Sequence, residues 1–188
     1  VSPQPFPMIA FPRAWTPGTD GTVTAEAIRV TATNESELRA YAGKVKGKVA
    51  LIAATPQATL LTNPTARRFT DQELLDMQSQ QINTGRRGGG PPNNNANFGT
   101  ELMRFLAREG AVATLQPANG RSDHGSILVS NAPAEYRDAK VPVTLPQIMV
   151  ASEHYNRIAR LLDRNMPVQI ELNARNRFFD DRTTSVNI

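Results

Sequence analysis

The stretch from Val141 to Leu172, VPVTLPQIMVASEHYNRIARLLDRNMPVQIEL, predicts a strand, a helix and a second strand in succession. An apolar run over 147–150 leads into a helix that is expected to begin at Ser152, a favoured N-cap residue. Apolar residues then recur at helical spacing on one face of this helix. Asn165 is placed where the helix ends, and the alternation after it predicts a half-buried strand. The whole pattern indicates an amphipathic helix packed on a sheet.

The composition of the 188 residues is suited to one domain with a hydrophobic core. With 14 prolines and 12 glycines, the chain should contain many turns, which argues against a helix bundle. It has no cysteine, so disulfides and thiolate metal sites are excluded. No apolar run approaches the roughly 18 residues that a membrane-spanning helix needs, so no span is predicted.

The formal net charge of +4 raises nucleic acid as a possible partner. The arginines are scattered, however, and the doublet Arg86-Arg87 lies in a glycine-rich stretch without aromatic residues on which bases could stack. We therefore expect a solvated basic surface and no nucleic-acid binding.

The rest of the chain carries further strand and helix patterns. Strands are predicted over 22–30, 45–53, 111–115 and 126–130, and a short helical turn over 34–41. Helices are predicted over 71–80, opened by a capping box of Thr70 with Glu73, and over 100–109, ended by Gly110. The strand over 45–53 becomes continuously apolar and is therefore placed centrally, where a crossover through the second helix joins it to the next strand.

Two segments are predicted not to contribute a central strand to the sheet. Residues 83–97 contain only one aliphatic side chain, Ala96, and belong to a mobile excursion over 57–97. Residues 1–21 form a proline-rich lead-in, with too many prolines for a helix or a central strand.

Aromatic residues at both ends of the chain are candidate contacts with another domain. The lead-in is expected to lie along an apolar surface because it carries Phe6, Phe11 and Trp15. Phe178 and Phe179 begin an exit segment over 178–188, after a domain over 22–177. In the isolated chain these aromatics should fold back on the sheet or mediate self-association. Both ends should emerge together, because 23–30 and 168–177 alternate correctly for paired strands.

Few residues suggest chemistry. The two histidines, His124 and His154, have no metal-ligand spacing, and the polar cluster around the first reads best as a turn because adjacent residues do not converge as a triad does. The acid pair Asp71 and Glu73 suits a helix N-terminus, and the pair Asp180-Asp181 has no evident acid partner. We predict no catalytic, cofactor-binding or metal-binding residue.

Three segments, in order and spacing, resemble a protease-associated (PA) domain, the non-catalytic module of many secreted zinc exopeptidases of the aminopeptidase and glutamate-carboxypeptidase type. VKGKVALI over 45–52 resembles the "GKIVLV" strand of that module, and EGAVATL over 109–115 resembles its helix-to-strand "GAAAVI" segment. Residues 141–162 are similar to its later strand and helix. The chain departs from the family at 54–57, where Ala-Thr-Pro-Gln replaces a common Arg-Gly-x-Cys. The peptidase's zinc ligands and catalytic residues have no counterpart here.

This resemblance implies a mixed α/β, strand-rich domain, an open β-barrel or sandwich of roughly seven strands with two or three flanking helices. It implies a chain that is not itself an enzyme, with zinc only in the parent peptidase domain. Its expected partners are that domain and peptide or protein substrates, and its expected location is extracellular or periplasmic. Two alternatives stay open: a free-standing hydrolase whose site is not recognised, and a basic nucleic-acid-binding barrel.

Overall fold

The computed structural model describes residues 3–57, 68–83, 94–117 and 145–176, with side chains described outside 79–83 and 94–97. Within these ranges six strands form one sheet that curls into a half-barrel, accompanied by four α-helices. The strands are β1 (Ala10–Pro12), β2 (Val23–Arg29), β3 (Val49–Leu51), β4 (Ala113–Pro117), β5 (Gln147–Val150) and β6 (Gln169–Leu172). The helices are α1 (Glu35–Leu38), α2 (Asp71–Asn83), α3 (Asn94–Arg108) and α4 (Ser152–Asp163). The predicted mixed, strand-rich class is confirmed.

The strand order across the sheet is β1-β5-β4-β3-β2-β6. The four inner strands are parallel, and each edge strand runs antiparallel to its neighbour. The predicted central position of the strand over 45–53 is confirmed, because β3 is fully buried between β2 and β4. The crossover prediction is confirmed too, since β3 and β4 are parallel neighbours with α3 between them in sequence.

The predicted pairing of 23–30 with the segment after Val168 is also confirmed. β2 and β6 pair in register, with Val23 opposite Leu172 and Ala25 opposite Ile170. A slip of one residue would turn the buried side chains of one strand to the opposite face, so the hydrophobic alternation selects this register.

The sheet buries a different hydrophobic cluster on each face. One face packs against α4 and holds residues such as Leu51, Ile148 and Ile170 around Tyr155. The opposite face packs against α1 and α3, with Val45, Ala50 and Leu106 in its cluster. The α4 side is the one that forms the candidate site.

Two helices end at the residues that the sequence predicted. After α3, Gly110 has φ +79° and its N–H donates to Ala107 O at 3.1 Å; after α4, Asn165 has φ +56° and donates to Leu162 O at 2.9 Å. Both satisfy last-turn carbonyls through a left-handed residue, a conformation that glycine and asparagine tolerate best. Thr70 and Glu73 also form the predicted capping box, with Thr70 N–H donating to Glu73 Oε2 at 2.9 Å.

Some predicted boundaries are wrong. Ser152 is the first helical residue of α4 and the N-cap is Ala151, because the Ala151 N–H is still engaged by Ile9 O at 2.9 Å as part of the sheet. Helix α3 begins at Asn94, within the stretch predicted as loop, and α2 extends to Asn83. The predicted strand over 126–130, the rest of the loop over 84–93 and the exit segment over 178–188 lie outside the described residues.

Candidate functional site

The proline-rich lead-in supplies an edge of the sheet. Three of its residues form β1, which pairs antiparallel with β5, and Pro12 tolerates this position because it lies on the outermost strand. Trp15 then turns the chain away from the sheet with φ +62°, an uncommon conformation for a bulky residue. The lead-in is therefore structured by contacts with other parts of the chain.

The candidate contact aromatics have different surroundings. Phe6 is half-buried and packs against the α4-side cluster, with the guanidinium carbon of Arg157 4.2 Å from its ring centroid. Phe11 is 49% exposed. Trp15 is half-buried, and Phe178 and Phe179 lie outside the described residues. Their assignment as an interdomain contact stays a prediction.

His154 holds the start of β1 on α4. The backbone N–H of Ile9 donates to His154 Nδ1 at 3.0 Å, and the Phe6 ring lies 5.5 Å from the imidazole, centroid to centroid. Because a backbone amide is always a donor, the lone pair of Nδ1 must face it, which puts the hydrogen of the neutral ring on Nε2. The sequence analysis considered His154 as a metal ligand and missed this contact, since nothing local marks Ile9 as its partner.

A second set of contacts, which we call the terminal clasp, joins Thr16–Thr19 to Ala174–Asn176. Thr19 N–H donates to Ala174 O at 2.8 Å, and Ala174 N–H donates to Thr19 Oγ1 at 2.9 Å. The Asn176 amide donates to Thr16 O at 2.7 Å. Gly18 passes so close that a Cβ there would overlap the Ala174 carbonyl oxygen. The chain thus approaches β2 and leaves β6 at one place.

A cleft of about 500 Å³ lies between the two edge strands. One side is lined by the lead-in and β1, including Phe6, Met8 and Ala10, and the other by 171–174, with Ile148 also lining it. Its volume falls in the range of small-ligand sites, and most of its lining is apolar. Glu171 is the one charged residue among those that line it.

The backbone groups of the two edges follow from the strand registers. Ala27 N–H donates to Val168 O at 2.8 Å and Ala25 lies opposite Ile170, so the amides of Gln169 and Glu171 point away from β2. On β1, Ile9 O accepts from Ala151 N–H and Arg13 N–H donates to Gln147 O. The backbone groups of Ala10 and Pro12 therefore point away from β5. Pro12 has no N–H to offer.

On the α4 side of the sheet, the buried Tyr155 joins α4 to the chain that leaves β3. Its hydroxyl donates to Ala53 O at 2.6 Å and accepts from Ala53 N–H at 3.0 Å. Burial raises the pKa of the Tyr155 hydroxyl, opposed by the hydrogen bond with Ala53 and by the charge of Arg29. This arrangement is structural.

The other residues that the sequence analysis considered for catalysis or binding form no site among the described residues. Glu73 serves as the N-terminal partner of α2, while His124, the doublet Arg86-Arg87 and the pair Asp180-Asp181 lie outside the described residues. Among the residues that the structure describes, no group of three or more His, Cys, Asp or Glu side chains is placed to hold a metal ion. Over the same residues, no helix is long and apolar enough to cross a membrane.

Comparison with known proteins places the fold. No protein-family model and no curated protein sequence matches the chain. A peptidase M28 precursor from Shewanella amazonensis SB2B has a similar structure, with a TM-score of 0.50 and 18% identity over 92% of this chain. An aminopeptidase from Aneurinibacillus sp. strain AM-1 aligns over 88% of the chain at 13% identity, with a TM-score of 0.49. The chain spans 32% and 27% of those two proteins.

Proposed function

We propose that this chain is a non-catalytic, protease-associated domain of a zinc-dependent exopeptidase, acting beside the peptidase cleft in substrate access or in contacts with protein partners. The observation that carries the proposal is the terminal clasp. A domain inserted into a host must leave and re-enter it at neighbouring points, and Thr19 with Ala174 brings the chain that enters β2 within hydrogen-bond distance of the chain that leaves β6.

The structural comparison supports the same proposal. The similar Shewanella protein is named a peptidase, and this chain matches only about a third of it. Such partial coverage suits one module of a larger enzyme. Zinc would then be bound by the parent peptidase domain, and the location would be extracellular or periplasmic, as in the family that the sequence resembles.

The exposed part of the lead-in suits an interdomain contact. Ile9 and Phe11 are 52% and 49% exposed and are close neighbours on the outer edge of the sheet. Exposed apolar residues that lie together are typical of surfaces that contact another domain. Phe6, by contrast, is engaged by α4, so we propose Phe11 rather than Phe6 as the member of this set that contacts the peptidase domain.

The test is a deletion in a polypeptide that carries this chain together with a peptidase domain. Residues 5–174 are replaced by a Gly-Ser linker, so that β1 is removed together with its partner strand β5; Pro5 and Ala174 line the same cleft, so a linker can join the chain there. We expect kcat for a small chromogenic aminoacyl substrate to stay within about threefold, while KM for longer peptides changes by about fivefold or more.

Zinc content and circular dichroism are the controls for folding of the shortened protein. If it is folded and zinc-loaded but has lost hydrolysis of the small substrate, this domain contributes to catalysis and the proposal is wrong. Hydrolysis of an aminoacyl substrate by the isolated chain, lost on chelation, would contradict it equally.

A further inference from the structure

We infer that the outer edge of β6 is a binding site for an extended peptide, which adds to the sheet as a further strand and places a basic side chain beside Glu171. The inference deepens the proposed function, on which it rests for its setting, by naming the surface that a peptide would contact. It is carried by the free backbone edge, the apolar cleft and the charge of Glu171.

The free edge supplies the backbone bonds. The register of β2 with β6 turns the N–H and C=O groups of Gln169 and Glu171 outward, and within the described part of the chain they have no partner. Unpaired edge groups are a template for another strand, a common way in which proteins bind extended peptides.

The strand directions define how such a peptide would lie. β1 and β6 each run antiparallel to the parallel inner strands, so they run in the same direction on either side of the cleft. A peptide between them can be antiparallel to both. Its apolar side chains would face Leu172, Ile148 and Met8 in the cleft.

The charge of Glu171 indicates which kind of peptide the edge of β6 would bind. Glu26 and Glu171 lie on the same face of the β2–β6 pair; Glu26 is bound by Lys48 at 3.1 Å, whereas Glu171 is exposed and has no ion pair among the described residues. An unpaired carboxylate at the edge of an apolar cleft favours a lysine or arginine of the bound peptide. It also disfavours a second copy of this chain in the register that sets two Glu171 side chains opposite each other.

The test measures binding of labelled peptides to the purified 188-residue chain by fluorescence anisotropy. The probe is an acetylated, amidated hexapeptide of alternating lysine and valine, and its match has glutamate in place of lysine. We expect the lysine peptide to bind at least about tenfold more tightly than the glutamate peptide, with the difference falling as salt is added. Equal binding of both peptides would overturn the charge assignment.

Two variants distinguish the contribution of the Glu171 charge to peptide binding from that of its backbone N–H. Glu171→Gln should remove the preference for lysine, whereas Glu171→Pro, which also deletes the outward N–H, should weaken binding by about tenfold or more. Glu35→Lys, a charge reversal on the exposed surface of α1, is the matched control and should leave binding unchanged. Unchanged binding by Glu171→Pro would rule out β6 as the site.

Sedimentation of the unliganded chain tests the competing occupant. A dimer that Glu171→Pro dissociates would show that a second copy occupies the edge, and would overturn the peptide assignment. Failure of peptide binding leaves the accessory role untouched, because that role is tested by the deletion in the longer polypeptide.

Discussion

The two edges of the sheet are protected to different degrees. On β1, Pro12 offers no N–H, and the preceding residues are tied to α4 through Phe6 and His154. On β6, Gln169 and Glu171 present their backbone groups without a proline or a covering segment among the described residues. Proline and side-chain cover are devices that prevent unwanted strand pairing. Among the described residues, only the β1 edge carries such a proline, which leaves the backbone groups of β6 available to a partner.

Proline scanning of β6 tests this comparison most strongly. Ile170→Pro removes an N–H that faces β2 and a side chain that is fully buried, so it should lower the free energy of unfolding by about 3 kcal/mol or more. Glu171→Pro, one residue along, should cost less than about 0.5 kcal/mol because its N–H points outward. Urea unfolding measures both, and similar costs would mean that the assigned register is wrong.

The terminal clasp is tested by a substitution at Gly18. Gly18→Ala places a methyl group against the Ala174 carbonyl oxygen, so either the lead-in or the end of β6 must shift, at a cost of about 1–3 kcal/mol. Gly99→Ala in α3 is the matched control, because nothing lies within 4 Å of its added Cβ. It should stabilise the protein by about 0.5–1 kcal/mol, since alanine favours a helix over glycine. Equal effects of the two substitutions would contradict the close approach.

Truncating two phenylalanines of the lead-in tests which part of it is held against α4. Phe6→Ala should lower the free energy of unfolding by about 1–2 kcal/mol, since the ring packs on the α4-side cluster and beneath Arg157. Phe11→Ala should change it by less than about 0.5 kcal/mol, because that ring is 49% exposed. Thermal unfolding of the two variants distinguishes them; a larger loss for Phe11 would reverse the roles that we assign.

Tyr155 tests the packing of α4 on the chain that follows β3. Tyr155→Phe leaves the N–H and C=O of Ala53 without their partner and should cost about 1 kcal/mol at neutral pH. Burial raises the pKa of the hydroxyl in the folded state, so its contribution is present below the unfolded pKa of about 10 and is lost as pH rises beyond it. The difference in stability between wild type and variant should therefore shrink above about pH 10. A constant difference from pH 8 to 11 would show that the hydroxyl does not titrate in this way.

Prediction from sequence worked best where a few neighbouring residues decide the structure. Gly110 and Asn165 end their helices because they tolerate a left-handed backbone, and Thr70 with Glu73 opens α2 by reciprocal bonds within one turn. The start of α4 was misplaced for the opposite reason. Ser152 suits an N-cap, but Ala151 is held by Ile9, which is remote in sequence.

By itself, the sequence determined the hydrophobic alternation of β2 and β6, the central place of β3 and the helix that packs on the sheet, because burial selects one face at a time. Only the tertiary structure decided that the lead-in forms an edge strand, since a proline-rich segment has no periodicity from which a partner could be read. It also decided which aromatic is covered: Phe6 meets Arg157 and His154 only after α4 has docked, while Phe11 stays exposed. The cleft and the free edge beside Glu171 arise in the same way, from a curled sheet that brings residues more than 150 positions apart to one surface.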